Sequence, residues 1–378
     1  MKTLGAVLRA SGRSRPYAVS RPLELTELDL DPPGPREVLV EIRAAGICHS
    51  DLSVIDGSRQ RPTPMLLGHE AAGIVIQTGE DVTRVHAGEH VVAVFVPACR
   101  HCEDCGTGRP ALCAAGNLAN KAGVLLSGGC RLHAGAEQIH HHCGVSGFSQ
   151  LAVLSENSVV RVDASLPFDV AALFGCAVLT GVGAVMNSAR VIAGQHVAIV
   201  GLGGVGMAAV LGARAAGAAS IIAIDTVQDK LAQAVQLGAT ATFLANSADV
   251  VAAVRETTHG GVDVALDMAG SVRALETAWQ ITRRGGKTVS CGLPDPSHMF
   301  SFAPTQLVAE ERIIQGSYMG GGDPALDIPK YIEWFKEGRL PVARLISARL
   351  PLEQVNEAMD ALAAGTALRQ VVVFPALS

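Results

Sequence analysis

Cys99, Cys102, Cys105 and Cys113 fall in the spacing C-x2-C-x2-C-x7-C. Four thiolates that close together suit a tetrahedral zinc, with each sulfur about 2.3 Å from the metal. A full shell leaves no position for water or substrate, so such a zinc is structural. Loose thiols in a loop are the plain alternative. Gly, Pro and charged residues between four cysteines fit a metal site better. A nucleic-acid-binding zinc ribbon is a third reading, and Glu103, Asp104 and the acidic balance of the chain oppose it.

A second set is scattered. GICHSD carries Cys48, GHEAAG carries His69, and LFGCAVLTG carries Cys176. Two thiolates and one imidazole hold a zinc with its fourth position open, as a catalytic site requires. Spacing alone does not bring Cys176 to the other two. Cys48 or Cys176 alone also reads as a small buried hydrophobe, and His69 alone as a satisfied core histidine.

The third feature is HVAIVGLGGVG. A short apolar run enters G-x-G-x-x-G at Gly201, Gly203 and Gly206, and MAAVLGARAAGA follows with helical character. A second apolar run, SIIAID, ends at Asp225. This is a dinucleotide-binding pattern in its strand–turn–helix context. Gly201 permits the turn, Gly203 lets backbone approach a pyrophosphate, and Gly206 lets helix and strand close up. The helix start offers free N–H groups and a positive dipole end to the phosphates. Asp225 would take the ribose hydroxyls and repel a 2′-phosphate. Thr226 and Val227 supply no cation, so NAD is expected over NADP.

These groups need elements to position them. After Asp225, QDKLAQAVQLGA, ADVVAAVRETTHGG and SVRALETAWQITRRGG read as helices between the strands ATFLA, VDVALDMAG and KTVSCGL. That rhythm predicts an α/β fold with a doubly wound parallel sheet. Before about residue 175 the chain differs. VLVEIRAAGI, AAGIVIQTG, HVVAVFV and SQLAVLSENSVVRV read as short strands of a mainly β domain. After about 320, IPKYIEWFKEGRL reads as a helix and LRQVVVF as a strand. The length of 378 residues suits two domains. Net charge −5 with 17% charged residues is a poor match for a nucleic-acid binder, which needs a basic face. The N-terminal stretch has no signal-peptide pattern, so a reducing, cytoplasmic setting is expected for the nine cysteines. Residues 197–224 are apolar enough to span a membrane, but their glycines favour a buried βαβ unit.

GHE followed by A-x-G-I-V, the four-cysteine lobe, GC-x-x-x-TG-x-GA and GLGGVG occur in this order. With these motifs the chain resembles the zinc-dependent medium-chain alcohol dehydrogenases over nearly its whole length. The resemblance implies a GroES-like catalytic domain over 1–177 and 318–378, with its structural-zinc lobe at 97–115. It implies a Rossmann NAD-binding domain over 178–317. It implies two zincs per chain, one structural on the four clustered cysteines and one catalytic on Cys48, His69 and Cys176. Hydride then passes between a primary alcohol, aryl and allylic ones included, and NAD. Ser50 takes the place of the hydroxyl that meets the substrate oxygen, and Asp51 that of the carboxylate orienting His69. Glu70 is the acid behind the zinc and an alternate ligand. His49 and Arg369 match pyrophosphate contacts and Lys230 a ribose contact, although Lys230 reads equally as a solvated helix lysine. Thr180, Gly204 and Val205 are further coenzyme candidates. Phe95, Leu118, His142 and Cys143 would line the substrate pocket. The family associates through sheet edges, which the segment 299–319 would supply, so a homodimer is expected, with a tetramer as the alternative.

Some positions depart from the family pattern. The histidine that ends the proton relay in the best-known members is Ser53 here. Relatives with altered relays reduce iminium or conjugated C=C bonds, so that chemistry stays open. The thiol-linked formaldehyde branch carries an acid and an arginine where this chain has Arg59 and Asn117. The run His140, His141, His142 lacks metal-ligand spacing and reads as a loop. A non-catalytic NAD-binding protein is the remaining alternative, and the intact Cys48–His69–Cys176 set argues against it.

Overall fold

The Glu37–Gly46 strand is buried almost along its length, because it pairs with strands on both sides and is covered on both faces. The structure, a computed structural model, describes residues 1–377 and divides them into two compact units. The first holds Met1–Cys176, Asp323–Pro329 and the chain from Ile346 onward. Its sheet orders Val159–Arg161, His90–Ala93, Ala71–Thr78, Glu37–Gly46, Gln370–Val373 and Ala348–Leu350, and Leu151–Ser155 also pairs with Glu37–Gly46. A small closed barrel joins Lys2–Leu8, Leu23–Leu30, Leu132–Ala134, Glu137–His141 and Met65–Leu66. Val40, Ile42, Ile55, Met65 and Phe148 belong to the main core of this unit.

The second unit holds Ala177–Gly322 and Lys330–Leu345. Its six strands run Ala241–Leu244, Ser220–Asp225, His196–Val200, Val262–Asp267, Thr282–Ser290, Ile313–Gly316 across the sheet, every pair parallel. Numbered within the unit, that order is 3-2-1-4-5-6. The order reverses between His196–Val200 and Val262–Asp267, and ligands of such sheets bind at the carboxyl ends beside that point. Apolar residues at 197–224 form strand, helix and strand as expected, with Gly204–Ala215 buried over most of its surface. A different helical stretch, Phe168–Ala189, is long and apolar enough to cross a membrane, and 83% of its most apolar window is buried inside the protein.

Three boundaries differ from the sequence reading. Residues 330–345, expected in the first unit, belong to the second, because one amphipathic helix pattern does not say which core it serves. The division falls after Gly322 and not at 318, because Met319–Gly321 packs on the helices of 179–189 in the second unit. A Cβ on Gly183 would sit 2.7 Å from the Gly320 Cα, and Asn187 Nδ2 donates to the Gly320 carbonyl at 3.1 Å. The helix expected through RRGG ends at Ile281, and Thr282–Ser290 is strand. Thr282 is buried; its hydroxyl lies 2.7 Å from the Ala278 carbonyl and 2.8 Å from Thr288 Oγ1.

Candidate active site and metal centres

Cys48 follows the strand Glu37–Gly46 by two residues and caps the helix His49–Ile55. Asp51, in the first turn of that helix, accepts from the Cys48 amide at 3.1 Å, closing the cap. Its other oxygen accepts from the Gly68 amide at 3.3 Å and from His69 Nδ1 at 3.0 Å. The proton of His69 therefore lies on Nδ1, and Nε2 is left to bind a metal. Cys176 sits in a π-helical turn, Phe174–Val178, a kind of turn often found at functional sites. Its sulfur lies 3.5 Å from His69 Nε2.

Cys48, His69, Glu70 and Cys176 offer ligand atoms within 4.8 Å of one another, all buried. Two sulfurs, an imidazole nitrogen and a carboxylate form a donor set that suits zinc. Glu70 Oε2 accepts from Arg369 Nη1 at 3.1 Å, while its Oε1 is buried with no hydrogen-bond partner. A Cβ on Gly46 would lie 2.5 Å from Glu70 Oε1, so only glycine lets this carboxylate in. Arg369 is itself buried, and it also donates to the Ile47 carbonyl at 3.0 Å.

The charges support one another. The Cys48 thiol is held well below its ordinary range because Cys176 donates to it and His69 lies beside it. Burial opposes ionisation of Asp51, but His69 and His142 outweigh it and keep the carboxyl ionised. Burial pushes Glu70 up to about 7 against the pull of Arg369. His142 Nδ1 lies 3.2 Å from Asp51, though not aligned for a hydrogen bond. Burial opposes the charged form of His142, yet Cys143 and Asp51 lift it to about 9. The rings of Phe95 and His142 both meet the His69 ring edge-on, at 5.5 and 5.3 Å. Cys143 is half-buried next to His142. Asp51, His69 and His142 also converge within 4.8 Å, a grouping the sequence reading did not foresee.

Ser50 is half-buried two residues after Cys48, and His49 is exposed. Ser53 donates its hydroxyl to the His49 carbonyl at 3.0 Å, within its own helix. Leu118 stands exposed on the helix Ala114–Ala122. Of the histidine run, His140 and His141 lie in the strand Glu137–His141 and not in a loop, because that strand closes the barrel between Leu132–Ala134 and Met65–Leu66.

The four clustered cysteines also converge within 4.8 Å. Backbone N–H groups already point at their sulfurs: Cys99 to Cys113 at 3.2 Å, Cys102 to Cys99 at 3.4 Å, Gly116 to Cys113 at 3.4 Å. Such donors favour thiolates, which is the form a zinc shell needs.

In the second unit Gly201 has φ +94°, and a Cβ there would strike Ala269 at 2.7 Å. A Cβ on Gly206 would collide with the Gly201 carbonyl, whereas one on Gly203 would meet nothing within 4 Å. Gly203, with Gly204 and Val205 after it, thus opens the helix toward free space, as close approach of a pyrophosphate would need. Asp225 accepts from the Leu202 amide at 2.6 Å and the Val227 amide at 2.9 Å, which ties the acid to the glycine turn. A cavity of about 120 Å³ opens beside Gly201 and Asp225. Thr180 and Lys230 are half-buried in the same unit and do not line that cavity. The sequence reading missed Ser271, Arg273 and Thr277, which do line it. The strand order held the signal, since whatever follows Val262–Asp267 returns to the switch point.

Comparisons with known proteins agree with this geometry. Residues 34–164 match the family described as "Alcohol dehydrogenase GroES-like domain", and residues 204–337 match "Zinc-binding dehydrogenase". The chain is 39% identical over 377 residues to "Putative alcohol dehydrogenase D" of Mycobacterium tuberculosis, covering 99% of this chain and 100% of that one. A crystal structure of an alcohol dehydrogenase zinc-binding domain protein from Burkholderia ambifaria superposes with TM-score 0.93 at 35% identity, covering 100% of both chains. Benzyl alcohol dehydrogenase from Acinetobacter calcoaceticus superposes with TM-score 0.92 at 31% identity, covering 99% of this chain and 100% of that one.

Proposed function

Since the chain belongs to the zinc-binding alcohol dehydrogenase family and is an oxidoreductase, we propose that it interconverts primary alcohols and aldehydes with NAD as hydride carrier. The observation that carries this is the convergence of Cys48, His69, Cys176 and Glu70 on one buried point. Zinc bound there supplies a Lewis acid for the substrate oxygen, and a nicotinamide supplies or takes the hydride. A second zinc would be held by Cys99, Cys102, Cys105 and Cys113, away from the reaction.

The protein's own groups do the rest. Asp51 fixes the His69 ring and its tautomer. Arg369 donates to Glu70 beside the ligands and places a positive charge there. Ser50 Oγ would accept the substrate hydroxyl proton as it gives up its own. The Ser53 hydroxyl is committed to the His49 carbonyl, so the proton leaves from Ser50 to water. Phe95 lies edge-on to His69 and offers an apolar wall, and the likeness to a benzyl alcohol dehydrogenase supports aryl alcohols as substrates, with allylic ones included in the proposal. Asp225 and the glycine turn support NAD. A reducing, cytoplasmic setting, which keeps cysteines free for metal, is part of this proposal.

The test follows NADH absorbance across benzyl, cinnamyl and aliphatic primary alcohols, their aldehydes, a cyclic imine and an enal. Turnover of an alcohol–aldehyde pair is expected. Turnover confined to the imine or enal would move the chain to the reductase reading that Ser53 keeps open. Cys48→Ala is expected to abolish hydride transfer while bound NADH still fluoresces. Full activity in that variant would refute the ligand assignment.

A further inference from the structure

The cavity at the carboxyl edge of the parallel sheet contains two opposite charges, Asp225 and Arg273. They are not neighbours in sequence. Asp225 ends the strand Ser220–Asp225, and Arg273 lies in the first turn of the helix Val272–Ile281. The switch in strand order brings both to one opening of about 120 Å³.

The fold accounts for Asp225 but not for Arg273. Asp225 directs one oxygen to the Leu202 amide and the other to the Val227 amide, and neither oxygen goes to Arg273. Arg273 is exposed and has no carboxylate partner among the described residues. A cation in the first turn of a helix opposes the helix dipole, so helix stability does not explain it. Ser271 already caps this helix through the Ala274 amide at 3.2 Å. What remains is a free guanidinium on the rim of this pocket, beside the hydroxyl-bearing Thr226.

Asp225 on its own would repel a 2′-phosphate, and the residues that follow it in sequence bring no positive charge. We propose that Arg273 is the counter-charge through which this pocket admits a 2′-phosphate, so that the chain takes NADP(H) as well as NAD(H). Asp225 keeps NAD(H) the better ligand, and Arg273 narrows the gap. A planar guanidinium is suited to phosphate oxygens, and its exposed position leaves it free to reach them. The inference rests on the coenzyme reading above, and its test separates the two.

Calorimetric titration with 5′-AMP and with adenosine 2′,5′-bisphosphate needs neither zinc nor turnover. The wild type is expected to bind both. Arg273→Ala should weaken the bisphosphate at least about tenfold, as loss of a charge-assisted phosphate contact does, and leave 5′-AMP within about threefold. Arg273→Lys, which keeps the charge, should restore most of the difference. NADPH and NADH followed by fluorescence should repeat the pattern. Equal weakening of both nucleotides would show that Arg273 holds the base or ribose, and would overturn the proposal. No change in either, a Lys variant as weak as the Ala variant, or a wild type that binds 5′-AMP but not the bisphosphate would also overturn it. A wild type that binds neither nucleotide would remove the coenzyme reading itself, and the proposal with it.

Discussion

The Asp51 carboxylate accepts from His69 Nδ1 and from the amides of Cys48 and Gly68, so one side chain holds two ligand-bearing segments together. Asp51→Asn keeps the shape but removes the charge that stabilises the His69 tautomer. Zinc affinity at the Cys48 site is expected to fall about 10–100-fold, as for other partners that orient ligating histidines. Competition with a chromogenic chelator measures it, and an unchanged affinity would deny Asp51 that role. The structural cysteines were legible because their spacing is local and the ligand geometry follows from it. The meeting of Cys176 with His69, 107 positions apart, was legible only through family likeness. Arg273 was not legible as a neighbour of Asp225, because strand order and not local sequence brings them together.

At the scale of elements, the strand Glu137–His141 depends on the charge state of a histidine. The Arg131 amide donates to His141 Nε2 at 3.1 Å, so Nδ1 carries the proton and faces Ser146 Oγ at 3.3 Å. Burial holds His141 down to about 4. Its folded value is therefore below its unfolded value of about 6.5. The neutral ring's stabilisation is full above pH ~6.5 and is lost as pH falls toward 4, by at most about 1.4 kcal/mol per pH unit. Melting temperature should drop between pH 7 and 5, and His141→Gln, which still offers an acceptor, should flatten that drop. An equal drop in the variant would place the acid sensitivity elsewhere. The cysteine lobe makes a separate case. Its helix Glu103–Gly106 has four residues and no buried side chain, too little to stand without cross-links. If the lobe's four cysteines hold the proposed zinc, its chelation is expected to expose 99–113 to limited proteolysis while 5′-AMP binding persists. Resistance of that segment after metal loss would show that contacts such as Arg100 with Asp323, at 2.7 Å, suffice.

At the scale of the whole molecule, the two sheet classes were legible because alternating apolar runs and βα rhythm survive in any sequence that must bury them. The return of Lys330–Leu345 to the second unit was not, since one amphipathic helix pattern does not say which core it serves. The parallel sheet ends in Ile313–Gly316, whose second edge has no strand partner among the described residues. Soluble chains usually protect such an edge with charge, proline or a bulge. The sequence IIQG has none of these, and Ile313 is 49% exposed with Val308 at 76% nearby. We propose that a second copy covers this edge. The net charge of −5 per chain opposes association only weakly at physiological salt, where the screening length is about 8 Å. Light scattering at micromolar concentration should give twice the mass of one chain. Ile313→Lys, which adds charge to the edge without touching a core position, should give the single-chain mass with 5′-AMP binding intact. A wild type that runs as one chain would leave this edge without a second copy, and a Lys variant that still dimerises would move the interface to another surface.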